Sequence, residues 1–267
     1  YLERPRTLRY NSQRRLAAVY EHEKLLARYQ HDAFGYRIHA HYPQEQQHHF
    51  YLFQQQRLVA EWQGSDTDLN ALTTQQQTHP ITRRYLYLQD QVIAMIEYEP
   101  DGPALYAVHS NLIGAPFMVT NTQQEIVWQA LYEPLGQAVV QHEQITFRLR
   151  FPGQYEDPAT GWHDNVLRTY DPLLGHYLEP DPLGPVPGHQ PLGYARQRPW
   201  PFIDPLGLLL FAFDGTRYDA RLQSNVWQLG QAYEGSAYYQ PGPGNASYVD
   251  WDALTAWSAS QIIHTQW

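Results

Sequence analysis

The sequence predicts a mostly β protein whose tail, from residue 209 onward, changes to an α/β pattern. Three observations carry this prediction. Short alternating apolar segments recur about every dozen residues from residue 1 to about 150, the rhythm of hairpins. The chain holds 21 Tyr and 8 Trp but only 17% charged residues, a composition suited to half-buried strands, where a ring packs and its polar tip stays wet. After Gly207 a continuous apolar run, Leu208 to Phe213, replaces the alternation.

Taken in order, strands are expected at Leu8–Tyr10, Leu16–Tyr20, Tyr36–Ile38, Phe50–Phe53, Tyr85–Leu88, Ile126–Ala130 and Ile145–Leu149, with polar punctuation between them. Residues 62–80 are Thr- and Gln-rich and read as an exposed loop. A weak repeat is visible: an aromatic, a polar turn, then an arginine and an aliphatic, in 10–16, 29–38 and 52–59. Such strand–turn–strand units must stack on neighbours to bury their faces. Residues 151–207 are rich in proline, with Asp-Pro at 157–158, 171–172, 181–182 and 204–205. Proline lacks a donor, so this stretch is expected as a string of turns draped over or plugging the scaffold rather than a regular ladder. The run 208–213 reads as a strand buried on both faces, as in a parallel sheet. A helix capped near Ser224 or Asn225, a short strand at Ala237–Tyr239 and a last helix from about Trp251 follow, the opening of an α/β fold.

The formal charge of −9 gives no electrostatic footprint for nucleic acid or an anionic membrane. With no cysteine, disulfides, zinc–thiolate sites and cysteine nucleophiles are excluded. The longest apolar run is far too short to span a bilayer as a helix. The sequence opens on Tyr-Leu-Glu-Arg rather than Met, and an excerpt of a longer protein is expected. His39 and His41 share a strand face near His48 and His49, but Glu45 is the single carboxylate nearby in sequence, and no metal or cofactor is expected.

Several ordered motifs carry a family resemblance. The units in 1–150 resemble YD repeats of Rhs proteins. Residues 108–116 and 126–136 resemble the family's His-x-Asp-x-Leu-Gly-x-Pro block and the Trp-x-Ala-x-Tyr strand after it, with Asn111 where Asp is usual. Arg150–Tyr155, Tyr170-Asp171-Pro172, Gly175–Leu178 and Pro180–Gly184 resemble the Rhs-associated core, and Ile203-Asp204-Pro205-Leu206-Gly207-Leu208 its closing motif. The implied organisation is a YD-repeat β shell (1–150), an associated core (151–208) and a further domain (209–267). The resemblance implies a cocoon-like shell around a C-terminal toxin and self-cleavage at Leu208–Leu209 by Asp181 and Asp204. Carboxylates forced together divide naturally into a base and a proton donor. Their separation in sequence is met equally well by two Asp-Pro turns.

The tail resembles the α/β-hydrolase-like DUF2235 proteins, which include type VI phospholipase effectors, at Phe213-Asp214-Gly215-Thr216, Ser224–Leu229 and Tyr238–Gly244. The G-x-S-x-G nucleophile elbow of such enzymes is absent, so a partial toxin domain is expected, with Asp214, Gly215 and Thr216 at a strand end. The implied partners are the encapsulated toxin, an immunity protein, and spike or chaperone proteins, with a lipid substrate for a complete toxin domain. The implied route runs from the bacterial cytoplasm to type VI-like secretion. The rival is a structural or surface-binding YD-repeat scaffold that does not cleave.

Overall fold

In a computed structural model of the chain, the described residues are 5–65, 81–89, 91–182, 191–194, 204 and 207, with the backbone of 209–213 and 236–240. Twelve strands follow one another in a single sheet in strict chain order. They are β1 (Arg6–Tyr10), β2 (Leu16–Glu21), β3 (Lys24–His31), β4 (Arg37–Tyr42), β5 (Gln47–Gln54), β6 (Arg57–Ser65), β7 (Arg83–Leu88), β8 (Gln91–Glu99), β9 (Gly102–Ser110), β10 (Pro116–Thr120), β11 (Ile126–Tyr132) and β12 (Ala138–Glu143). Each neighbouring pair is antiparallel, the geometry that short hairpin connections allow.

The period-2 alternation sets the faces. In β3, Ala27 and Tyr29 are buried while Arg28 and Gln30 are exposed; in β7, Tyr85 is buried and Leu86 exposed. The buried side carries a Tyr-rich core of Tyr29, Tyr42, Tyr51, Tyr85 and Tyr106, together with Met95 and Trp128.

The repeat proves to reside in the turns. The Asn11 Oδ1 accepts from the backbone N–H of Gln13 and Arg15, and Asp32 Oδ1 accepts from Phe34 and Tyr36. Asn111 does the same for Ile113 and Ala115, and Asn121 for Gln123 and Glu125. Three residues after each Asn or Asp the backbone enters the left-handed region, at Arg14, Gly35, Gly114 and Gln124. The motif needs one side-chain oxygen acceptor, which Asn and Asp both supply. Asn111, a departure from the family pattern, therefore fulfils the same role as Asp32. The unit at 52–59 differs: Gln55 and Gln56 both have positive φ, the signature of a two-residue I′ hairpin. Asp32→Ala, losing both turn bonds, is expected to cost about 1–2 kcal/mol, whereas Asn111→Asp leaves the urea midpoint close to the parent's; paired chemical denaturation checks both.

Two sequence expectations are corrected after residue 144. Residues 145–149 are not a sheet strand; only Leu149 makes a bridge, to Tyr155. The chain leaves the ladder here because Phe147 packs on Trp128, and Arg150 Nη1 takes the carbonyls of Phe147 and Leu149. The proline-rich stretch, in turn, does form a ladder. Strands β13 (Gln154–Glu156), β14 (His163–Asn165), β15 (Arg168–Asp171) and β16 (His176–Tyr177) make a second antiparallel sheet. Pro158 and Pro172 fall just beyond strand ends, where no ladder donor is needed. Their preceding aspartates organise the turns: Asp157 Oδ1 accepts from Ala159 and Thr160, Asp171 Oδ1 from Leu173 and Leu174.

Buried polar groups join the second sheet to the first. Arg37 of β4 pairs with Asp157 (3.3 Å) and Asp164 (3.2 Å), and its guanidinium lies 3.9 Å from the Tyr29 ring centroid. Glu61 of β6 accepts from Arg83 at 2.9 Å and from Tyr155 of β13 at 2.5 Å. Glu179 accepts from the N–H of Leu16 in β2 and of Thr169 in β15.

Beyond residue 207, β17 (Leu209–Phe213) pairs in parallel with β18 (Ser236–Gln240). The parallel pairing agrees with the expectation from the continuous apolar run. The exposed loop expected at 62–80 is corrected at its start: residues 62–65 continue β6, with Trp62 buried, while 66–80 and the helices expected at 224–233 and from 251 lie outside the described residues.

Candidate functional site

The end of the β14–β15 hairpin gathers the polar groups of interest. Asn165 and Arg168 pair across a two-residue turn, in which Leu167 N–H reaches the Asn165 carbonyl at 2.6 Å and Val166 takes a positive φ. Strand β15 also pairs with β16, which puts Tyr177 opposite Tyr170, and the chain then runs on toward Asp181 beside Arg168. Asp181 N–H donates to the Pro191 carbonyl, tying down that approach.

Arg168, 2% exposed, is the hub. Its Nη2 lies 3.2 Å from Asp181 Oδ2 and 3.1 Å from Asp204 Oδ2. Both aspartates anticipated from the sequence therefore meet on one nitrogen, and their carboxyl oxygens lie within two hydrogen-bond lengths of each other. Arg168 Nε donates to the Gly207 carbonyl at 2.5 Å, and its guanidinium lies 3.6 Å from the Tyr177 ring centroid. Asp204 is buried, with a further donor in the Tyr177 hydroxyl at 2.9 Å, while the Asp181 side chain keeps 13% of its surface. Asn165 Nδ2 donates to the Asp204 carbonyl (2.8 Å) and to Tyr177 Oη (2.6 Å).

Gly207 is required by this packing. Its φ is +64°, and an added Cβ would sit 2.7 Å from the Asn165 carbonyl oxygen and 3.2 Å from Arg168 N, both backbone atoms that cannot yield. Gly207, the neighbour of Leu208 at the anticipated scissile bond, is thus clamped against the Arg168–Asn165 hairpin.

Burial first, then the Asp204 charge, holds the Tyr177 phenol well above its ordinary range, so it remains a donor. The rings of Tyr170, Tyr194 and Phe151 pack around this corner.

Of the other anticipated residues, Leu209 begins β17, whereas Leu208, Asp214, Gly215 and Thr216 lie outside the described residues. His39 and His41 both stack on His48, with centroids 5.1 and 4.3 Å apart, rather than converging on a point between them. Sequence reading missed Arg168, Asn165 and the role of Tyr177. The available signal was an arginine and an asparagine flanking a two-residue turn, in a segment otherwise dominated by Asp-Pro.

A single sheet of twelve antiparallel strands in chain order, built from Asn- and Asp-led hairpin turns and joined to a second small sheet, is the architecture of a YD-repeat shell. The chain matches the Teneurin YD-shell family over residues 3–184 and belongs to it. It is 31% identical over 135 residues to the double-stranded DNA deaminase toxin A of Burkholderia cenocepacia, covering 48% of this chain and 9% of that protein. It is 30% identical over 102 residues to the toxin protein Tse5 of Pseudomonas aeruginosa, covering 38% of this chain and 8% of that one. The chain thus spans less than a tenth of the length of these relatives. Among solved structures, TcdB2-TccC3 superposes with a TM-score of 0.59 at 18% identity, over 76% of this chain and 10% of that chain. The Photorhabdus luminescens Tc holotoxin pore gives the same TM-score at 17% identity, again over 76% of this chain and 10% of that one. These structures share the fold.

Proposed function

We propose that this chain is part of an Rhs-type toxin, a β shell that encloses a C-terminal toxin and cuts itself between Leu208 and Leu209. The observation that carries the reading is the grip of Arg168 on Asp181, Asp204 and the Gly207 carbonyl, one residue before the scissile carbonyl of Leu208. Asp204, which collects the donors, acts as base. It takes a proton from water, whose oxygen bonds to the Leu208 carbonyl carbon. The C–N bond then breaks, and Asp181 donates a proton to the departing Leu209 amine. One water is consumed, and a carboxylate and an amine result. Arg168 offsets charge on the carboxylates and fixes the approaching chain, the two tasks of preorganisation and orientation.

For the domain after the cut, the parallel β17–β18 pair supports an α/β toxin of the hydrolase type, with Asp214, Gly215 and Thr216 at its first strand end. Its substrate class would be lipid once a nucleophile elbow is supplied, and an immunity protein and a type VI-like spike or chaperone would be its partners in delivery. Relatives described as toxins support secretion from the bacterial cytoplasm as the destination.

Intact mass of the purified chain tests the cleavage. The parent is expected as two species divided between Leu208 and Leu209, and Asp204→Asn and Asp181→Asn as single uncut chains with the parent's circular dichroism. A folded parent that stays whole, or an Asp204→Asn chain cut at the same bond, would overturn the proposal and leave a passive scaffold.

A further inference from the structure

We infer that Tyr177 is a positioning residue for self-cleavage: its hydroxyl, oriented by Asn165, selects Asp204 rather than Asp181 as the base. The inference rests on the cleavage reading above. Two carboxyls on one guanidinium nitrogen, at 3.2 and 3.1 Å, are close to equivalent as far as Arg168 is concerned. Something else must make them different if one is to take a proton and the other to give one.

The hydrogen-bond directions supply the difference. Asn165 Nδ2 lies 2.8 Å from the Asp204 carbonyl oxygen, which can only accept, so this end of the amide is the donor. The same nitrogen lies 2.6 Å from Tyr177 Oη, whose lone pair is thereby engaged as an acceptor. The single phenolic proton is then directed to Asp204 Oδ2, 2.9 Å away. A hydroxyl donated to a carboxyl oxygen favours its ionised form. One phenolic proton can serve one carboxyl, and here it serves Asp204. The ring is held in place independently of the hydroxyl: it stacks under Arg168 and packs on Tyr170 and Tyr194. Among the described residues, Arg168, Asp181, Tyr177 and Tyr194 are charged and titratable groups that face Asp204. Of these, only the Tyr177 hydroxyl is both directed by a neighbour and removable without loss of packing.

The test compares self-cleavage rates of the full chain, released from denaturant across a pH series, for the parent, Tyr177→Phe and Asp204→Asn. Tyr177→Phe keeps the ring and deletes the proton. It is expected to slow cleavage about 10- to 100-fold near neutral pH, the worth of one hydrogen bond to a charged group. The acid limb of its profile is expected to move to higher pH, with much of the rate recovered on the alkaline side. A Phe variant with the parent's rate and limb overturns the inference. So does a variant slowed equally at every pH, which would show a structural role alone. Asp204→Asn keeps the two levels apart: if it cuts like the parent, the cleavage reading itself falls, whereas an inactive Asp204→Asn with an unchanged Tyr177→Phe removes only the role of Tyr177.

Discussion

Arg168→Met is expected to abolish the proposed self-cleavage, with a loss of at least about 10³-fold, and to destabilise the second sheet by about 3–5 kcal/mol. The side chain is 2% exposed and touches both Asp181 and Asp204, so its removal takes one positive charge away from two facing carboxyls. It also releases the Gly207 carbonyl, which Arg168 Nε holds at 2.5 Å, and strips the cation from the Tyr177 ring. Arg168→Lys separates charge from geometry. A lysine restores one positive charge but presents a single nitrogen, which cannot reproduce a fork that engages the carboxyl oxygens with Nη2 and the Gly207 carbonyl with Nε. Stability should therefore recover in part while cleavage stays far below the parent. Urea denaturation and intact-mass time courses on the three chains check this. A lysine variant that cuts at the parent's rate would mean that Arg168 contributes charge alone and that Gly207 is aligned by other contacts.

The sheet was legible in the sequence because its cues are local. Strands such as 16–20, 85–88 and 126–130 are short runs rich in aliphatic and aromatic residues and bounded by polar turns, and hairpin turns announce themselves with Asn or Asp three residues before a Gly or another left-handed residue. The failures are also physical. Ile145–Leu149 has the composition of a strand, but Phe147 and the carbonyls gripped by Arg150 find better partners off the ladder. The ladder of β13–β16 was obscured because its prolines, dense in sequence, all stand in its turns. Asp181 and Asp204 came from a resemblance of motifs, and nothing in their spacing says that they meet. What joins them is Arg168, a residue of ordinary appearance between Leu167 and Thr169, whose role arises from antiparallel pairing with Asn165 and from burial. Such information is tertiary, and a single sequence does not display it.

Arg37→Met is expected to destabilise the chain by about 3–5 kcal/mol at neutral pH, with the deficit shrinking as the pH falls. Arg37 is 1% exposed and neutralises Asp157 and Asp164, which lie on the second sheet's side of the junction. Burial already pushes the Asp164 carboxyl above its ordinary range, with Arg37 and then Arg15 opposing the rise. Without Arg37 the folded chain holds the Asp164 proton more tightly than the unfolded chain does. Lowering the pH then favours the folded state of the variant relative to the parent, so the gap narrows. The opposite linkage from His49, which burial holds down to about 4, weakens both chains as the pH falls from 6.5 and cancels in the difference. Urea midpoints at pH 7.5 and pH 5 measure the effect; a gap that is constant or widens with acid would show that Asp164 is not the group left uncompensated. The same variant connects shell to site. Asp164 is adjacent to Asn165 in β14, and Glu179 ties Leu16 of β2 to Thr169, the residue after Arg168. The hairpin that carries Asn165 and Arg168 is therefore held from two sides by the YD-repeat sheet. If Arg37→Met slows cleavage even where the chain is folded, the site reads the integrity of the sheet around it, and cutting would wait until the shell has assembled. If cleavage proceeds at the parent's rate, the second sheet organises its aspartates alone, and the shell serves only as the wall around them.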